Sequence, residues 1–153
     1  MSRRDSREAT VKIIFQNEFI DSRLRTDVDR SDASGSDKVE SEDMIAMFIS
    51  SAEEKETAKI DRTFVDRVLG CVLEHIKEID ALIESKIDRT WTINRLCKVD
   101  LAILREAIAE IRYFDDIPVS VTINEAVELA NKFSYPEASA FINGILGSVS
   151  RDE

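Results

Sequence analysis

The sequence holds few of the residues that turn or interrupt a chain. It has four glycines and two prolines among 153 residues, whereas an all-β protein needs such turn residues about every ten positions. No apolar run approaches the roughly 18 residues that a membrane-spanning helix requires, and the arginine-rich start is not followed by the apolar stretch of a secretory signal. These absences argue against an all-β fold and against a membrane protein, and we expect a cytoplasmic, all-α protein.

Groups that carry enzymatic chemistry or bind metals are equally scarce. The one histidine, His75, precedes Glu78 by three residues, and a surface ion pair on a helix explains that spacing best. Cys71 and Cys97 lie 26 positions apart in apolar periodic segments, without metal-ligand spacing, and we expect buried free thiols. No P-loop, Gly-rich dinucleotide turn, CxxC or HExxH motif occurs. We therefore predict a protein that is not an enzyme, with no catalytic residues, no metal and no cofactor.

Apolar residues recur at spacings of three and four along most of the chain, which predicts about seven helices. The length fits a single helical domain over residues 1–153. The longest predicted helix covers about 61–87 and should be the central element of the fold. Gly144 and Gly147 lie three residues apart in the last predicted helix, which favours close helix packing there. The other predicted helices cover about 3–20, 45–52, 90–97, 99–113, 118–133 and 138–149.

Half of the net charge of −10 is concentrated in one segment. Between Thr26 and Asp43, seven acidic residues accompany only two basic ones, which gives that segment a charge of −5. Residues 21–40 also lack apolar periodicity and contain Gly35 between two serines, so burial there cannot offset the entropy cost of ordering. We predict a mobile acidic loop over 21–40. The seven acids are Asp27, Asp29, Asp32, Asp37, Glu40, Glu42 and Asp43.

The amino-terminal end is basic despite the acidic total. Residues 1–12 carry a net charge of +2, and the spacing of Arg3 and Arg7 places them on one face of the first predicted helix, beside Arg4. Guanidinium groups form bidentate hydrogen bonds with phosphate. A solvated first helical turn would also explain three arginines, but cations there oppose the helix dipole by roughly a few tenths of a kcal/mol each. All three are therefore candidate phosphate contacts.

Three segments resemble the NusB family of transcription antitermination proteins. The segment RRDSREATVKIIFQNEF at 3–19 is similar to the family's arginine-rich opening helix, and RLCKVDLAILREAIAEI at 95–111 resembles a second family motif. The segment DIPVSVTINEAVELANKFSYPEASAFINGIL at 116–146 resembles the family's most distinctive stretch. The order and spacing of the segments match as well. The resemblance implies two small helical subdomains packed as one compact domain and a role in processive antitermination.

The resemblance also implies partners. NusB family members bind boxA, a short single-stranded RNA element of nascent ribosomal transcripts, together with the small-subunit ribosomal protein NusE, in a larger antitermination complex on RNA polymerase. Phe141 and Asn143 match family positions at or near the RNA face, and Lys132 is a further candidate phosphate contact. Because Phe141 also falls on the apolar stripe of the last predicted helix, a core role stays open for it.

For the interface with NusE, Phe15 and Asp100 match family positions, and Leu96 is a nearby apolar candidate. Phe15 could equally belong to the core, and Asp100 could be a helix-start acid favoured by the helix dipole. Asn124 and Glu125 are motif residues that we interpret as structural. A local hydrogen bond between side chain and backbone and an acid in a first turn account for them without a ligand.

Two functions of different classes therefore compete. The leading one is an RNA-binding antitermination factor. The alternative is a protein-only helical scaffold that has the NusB fold but has lost RNA recognition, which the net charge of −10 favours. The arginines near the amino terminus favour the first. The sequence leaves open which RNA sequence is read and whether the chain is a monomer or a homodimer, and we expect no membrane partner.

Overall fold

The computed structural model describes residues 2–24, 60–87, 93 and 96–152, and for 17–24 it describes only the backbone. These ranges contain six helices and no strand, which confirms the all-α prediction. The chain divides into two compact units, Met1–Glu74 and His75–Glu153. None of the described helices has the length and apolar content needed to cross a bilayer. The helices are α1 (Arg3–Leu24), α2 (Arg62–Glu74), α3 (Ile76–Lys86), α4 (Lys98–Tyr113), α5 (Val119–Phe133) and α6 (Ala138–Arg151).

In the first unit, α1 packs against α2, and side-chain caps fix where both helices begin. Ser2 Oγ accepts a hydrogen bond from the backbone N–H of Asp5 at 3.3 Å. Asp61 Oδ1 accepts from the N–H groups of Thr63 and Phe64 at 3.1 and 3.4 Å, which satisfies donors that have no partner within the helix. The hydroxyl of Ser6 accepts from the Asp61 N–H at 2.7 Å and so links the two helix starts.

In the second unit, α4 is the most deeply buried helix. Every residue from Asp100 to Ile111 is buried, and α3, α5 and α6 all pack against α4. A helix that is covered on all sides occupies the interior of a fold. The central helix of this unit is therefore α4. The prediction of one central helix over 61–87 is wrong, because those residues form two helices that belong to different units. Arg105 of α4 forms a bidentate pair with Asp80 of α3, at 2.9 Å through Nε and 2.8 Å through Nη2.

The predicted helix over 61–87 is two helices. His75 separates α2 from α3 with backbone angles of φ −111° and ψ 20°, which lie outside the helical region. Apolar residues keep their spacing of three and four on both sides of this break, so the pattern alone does not show it. The boundary between the two compact units falls at the same place.

The other helix boundaries follow the predictions closely where the structure describes them. The helices α4, α5 and α6 begin and end within about two residues of the predicted positions. The first helix continues to Leu24, so residues 21–24 are helical and the prediction of a loop is wrong for them. The rest of the predicted acidic loop, the helix predicted at 45–52 and most of 90–97 lie outside the described residues.

The prediction of close packing at the glycines of the last helix is wrong. A Cβ atom added to Gly144 would meet no described atom within 4 Å, and at Gly147 it would meet only Nη1 of Arg151, at 3.4 Å. Gly144 is exposed. No neighbouring helix in the described part of the chain therefore requires a glycine at either position.

Candidate nucleic-acid interface

The three arginines near the start of α1 differ in exposure. Arg3 and Arg4 are exposed, whereas the Arg7 side chain has only 4% of its surface accessible. The guanidinium carbons of Arg3 and Arg7 lie 4.4 and 5.6 Å from the ring centroid of Phe64 in α2. Both arginines thus face the same ring, as their spacing of four predicts. Arg3 and Arg4 are the members of the set whose charge reaches solvent, where a phosphate could approach it.

An open groove runs between α5 and α6 in the second unit. Its volume is about 580 Å³, within the range of roughly 300–1,000 Å³ found for small-ligand sites. The described lining residues are apolar side chains, hydroxyls and amides, and none of them carries a charge. The lining residues are Ser120, Ile123, Asn124 and Val127 of α5 with Ser139, Ala140 and Asn143 of α6.

The structure places the predicted RNA-contact residues of the second unit in different surroundings. Asn143 is exposed and lines the groove. Phe141 is 37% exposed, so it is not a core residue, and it does not line the groove. Residues two apart on a helix point to nearly opposite sides, so Phe141 and Asn143 do not share a face. Lys132 is exposed on α5, and its Nζ lies 5.2 Å from the ring centroid of Phe133.

The predicted partner-interface residues are largely covered. Asp100 is 7% exposed at the start of α4, and Leu96 is 8% exposed. Ser134, which follows α5, donates a hydrogen bond from Oγ to Asp100 Oδ1 at 2.6 Å. Burial raises the pKa of Asp100 above its usual value, and the hydrogen bond from Ser134 opposes that rise. Phe15 is half-buried in the other unit.

Some exposed residues of the second unit were not singled out from the sequence. The sequence favours a structural role for Asn124, yet its side chain is exposed and lines the groove together with Asn143. Tyr135 is 67% exposed and Phe133 is 39% exposed, next to the turn that joins α5 to α6. The surface position of an aromatic residue at a helix end cannot be read from periodicity, because the pattern stops there.

The cysteine, histidine and acidic side chains of the described residues have the following arrangement. They contain no group of three or more His, Cys, Asp or Glu side chains placed to hold a metal ion. Burial raises the pKa of Cys71 to about 11, with Glu74 adding to the rise, so its thiol stays protonated near neutral pH. The His75 ring stacks on Tyr113 with centroids 4.0 Å apart, and its Nδ1 lies 3.5 Å from Glu78 Oε2. That contact agrees with the ion pair predicted for His75 and Glu78.

Comparison with known sequences gives matches along the whole chain. The model of the NusB family matches residues 4–151. The transcription antitermination protein NusB of Natranaerobius thermophilus is 43% identical over 150 residues, which cover 98% of this chain and 95% of that protein. The transcription antitermination protein NusB of Ruminiclostridium cellulolyticum is 39% identical over 153 residues, which cover 100% of this chain and 91% of the relative.

Solved structures agree with this similarity. T. maritima NusB superposes with a TM-score of 0.75 at 29% identity, covering 100% of this chain and 93% of that one. A crystal structure of the antitermination factors NusB and NusE in complex with double-stranded RNA contains a chain that superposes with a TM-score of 0.70 at 17% identity, covering 99% of this chain and 97% of its own. At that low identity the second superposition shows a shared fold.

Proposed function

Because the chain belongs to the NusB family of transcription antitermination proteins, we propose that it binds a boxA-like single-stranded RNA element in nascent ribosomal transcripts. In this proposal it binds the RNA together with the ribosomal protein NusE, within the antitermination complex on RNA polymerase in the cytoplasm. The protein acts as a binding factor and not as an enzyme. Its phosphate contacts are Arg3, Arg4 and Lys132, with Phe141 as a stacking surface for a base.

The observation that carries this proposal is the family match over residues 4–151. The relatives named above are antitermination proteins, and one solved structure of this fold was determined with NusE and RNA. The exposure of Arg3 and Arg4 at one end of an acidic protein supports the proposal, because phosphate contacts come from accessible cations. Arg7 is assigned a supporting role, since its guanidinium is buried over Phe64 and holds the helix start that carries the other two.

The protein-only scaffold remains the second candidate. The net charge of −10 and the burial of Arg7 both reduce the positive field that attracts RNA. In that alternative, Phe15 in the first unit and Leu96 and Asp100 in the second contact a protein partner, while the arginines of α1 form a solvated helix start.

An RNA titration at several salt concentrations tests the proposal. The full chain, with and without NusE, is titrated with a boxA-like and a scrambled oligomer, and the R3Q/R4Q variant is measured beside it. If both arginines neutralise a phosphate of a single strand, their loss should reduce the slope of log affinity against log salt by about 1.4. Helix content should hold, because Gln is a good helix former and the change relieves an unfavourable dipole contact.

A matched variant shows whether the effect belongs to these positions. R112Q/R151Q removes the same number of positive charges from exposed positions near the ends of α4 and α6, and it should change the slope much less. If the parent and R3Q/R4Q have the same slope of log affinity against log salt, Arg3 and Arg4 do not contact phosphates and form only a solvated helix start. If the parent with NusE also fails to prefer boxA-like RNA over scrambled RNA, the scaffold is the better description.

A further inference from the structure

We infer that the groove between α5 and α6 is a pocket for one unpaired nucleobase, whose edge is read by the side-chain amides of Asn124 and Asn143. The two residues line the groove from opposite helices, and both are exposed. This inference rests on the proposed RNA-binding function and adds to it a site for direct base recognition, separate from Arg3, Arg4 and Phe141.

The side-chain amides of Asn124 and Asn143 do not stabilise the described part of the chain through hydrogen bonds. Neither side chain forms a hydrogen bond or other polar contact with any residue that the structure describes. Asparagine is a poor helix former, because its side chain competes for backbone hydrogen bonds, and both residues lie well inside their helices. The interpretation of Asn124 as a structural residue requires a local hydrogen bond to the backbone, and no such bond is present.

The chemistry of the groove selects a base over other occupants. A phosphate needs cations, and a basic peptide needs carboxylates, yet the described lining residues include neither. A carboxamide presents one acceptor and two donors in a plane, which matches the donor and acceptor pairs on the edge of a base. The apolar side chains of the lining, those of Ile123, Val127 and Ala140, suit the flat face of the ring. Single-stranded RNA is the partner that presents unstacked bases with free edges.

The groove also lies apart from the proposed stacking residue. Phe141 and Asn143 are two residues apart on α6 and therefore project to nearly opposite sides of the helix. A strand that stacks one base on Phe141 would place a different nucleotide in the groove. The two contacts are therefore expected to respond to substitutions at different positions of the RNA.

The test uses the full chain with NusE and a boxA-like oligomer in which each nucleotide in turn is replaced by an abasic one. The variants are N124A, N143A and the double variant, with N131A as the matched control. Asn131 is an exposed asparagine farther along α5 that does not line the groove. Replacement of asparagine by alanine raises helix propensity, so circular dichroism should show unchanged or greater helix content.

We expect each groove variant to lose roughly 5- to 150-fold in affinity for the intact oligomer, the effect of one good amide-to-base pair. At one abasic position the parent should bind as weakly as the double variant, while at the other positions the difference between them should persist. The salt slope should not change, because no phosphate contact is lost. N131A should bind like the parent.

The inference is overturned if N124A and N143A bind the intact oligomer as the parent does, while R3Q/R4Q still shows its reduced salt slope. It is also overturned if the variants weaken binding of NusE alone and leave the affinity for RNA unchanged, since the groove would then be a protein contact. Absence of any preference of the parent for boxA-like RNA would instead count against the proposed function itself. These three results are distinguishable in one set of titrations.

Discussion

Arg3 and Arg7 show how far identical residue types on one helix face can differ in role. They lie four positions apart and face the same phenylalanine ring, yet one is exposed and the other is 4% exposed. A guanidinium over an aromatic face stabilises a fold, and more strongly when water is excluded. The sequence could identify the shared face from spacing. It could not show that Arg7 is buried against α2, because the contacting residue, Phe64, lies 57 positions away along the chain.

The environment of Asp100 determines how the stability of the fold varies with pH. Folding raises its pKa, so the folded chain binds this proton more tightly than the unfolded chain does. The free energy of unfolding contributed by Asp100 is therefore highest below the usual pKa of 3.8 and falls as pH rises through the raised pKa. At neutral pH the buried carboxylate of Asp100 therefore lowers the free energy of unfolding.

The variant D100N should remove that dependence. The unfolding free energy of the parent minus that of D100N should decrease as pH rises above 3.8 and level off once Asp100 is ionised. Urea denaturation at a series of pH values measures it. S134A deletes the hydrogen bond that opposes the pKa rise, so it should extend the decrease to higher pH. A difference that is constant, or that grows with pH, would contradict the assignment.

Apolar periodicity predicted where the helices lie, but it did not predict the break between α2 and α3 or how deeply each helix is buried. It predicted α4, α5 and α6 to within about two residues, because apolar residues recur in each at helical spacing and Pro118 and Pro136 mark the turns between them. It merged α2 and α3, since a single residue with non-helical angles leaves the stripe in phase. It also could not rank helices by burial, because α2 and α4 are both rich in apolar residues.

The placement of side chains between helices is even harder to predict from the sequence than the helix boundaries. The groove depends on how closely α5 and α6 approach, and nothing in a one-dimensional pattern fixes that distance. The candidate residue Asn143 was found through family resemblance, whereas Asn124 on the facing helix was assigned a structural role. Their exposure without internal partners is a property of the packed pair of helices and appears only in three dimensions.

The last helix carries a testable consequence of that packing. Gly144 is exposed, and a Cβ atom there meets no described atom, so G144A should raise the free energy of unfolding by about 0.5–1 kcal/mol through helix propensity. Ala140 is also exposed on α6, and A140G should lower stability by a similar amount. Thermal and urea unfolding of the pair measure both effects. A destabilising G144A would indicate a close neighbour, as the sequence first suggested.

The whole molecule combines a basic helix start with a strongly acidic total, and the balance affects how it selects RNA. The net charge is −10, of which −5 lies between Thr26 and Asp43. A negative field slows approach of any polyanion and acts alike on every RNA sequence. Base contacts, such as those inferred for the groove, act only on the correct sequence. An acidic chain therefore weakens the part of the binding free energy that is the same for every RNA. The part that depends on base contacts is unchanged.

Neutralising the acidic segment tests this account of specificity. Changing Asp27, Asp29, Asp32, Asp37, Glu40, Glu42 and Asp43 to the corresponding amides removes seven negative charges and takes the net charge from −10 to −3. At low salt the variant should bind scrambled RNA more tightly, and boxA-like RNA by a similar factor, because the added attraction is independent of sequence. Screening over a Debye length of about 10 Å at 0.1 M salt should shrink the gain as salt rises.

A control that permutes residues 26–43 keeps the charge and should bind like the parent. If the variant gains affinity for boxA-like RNA alone, or if the permuted control gains as much, the segment acts through specific contacts and a general field is not the explanation.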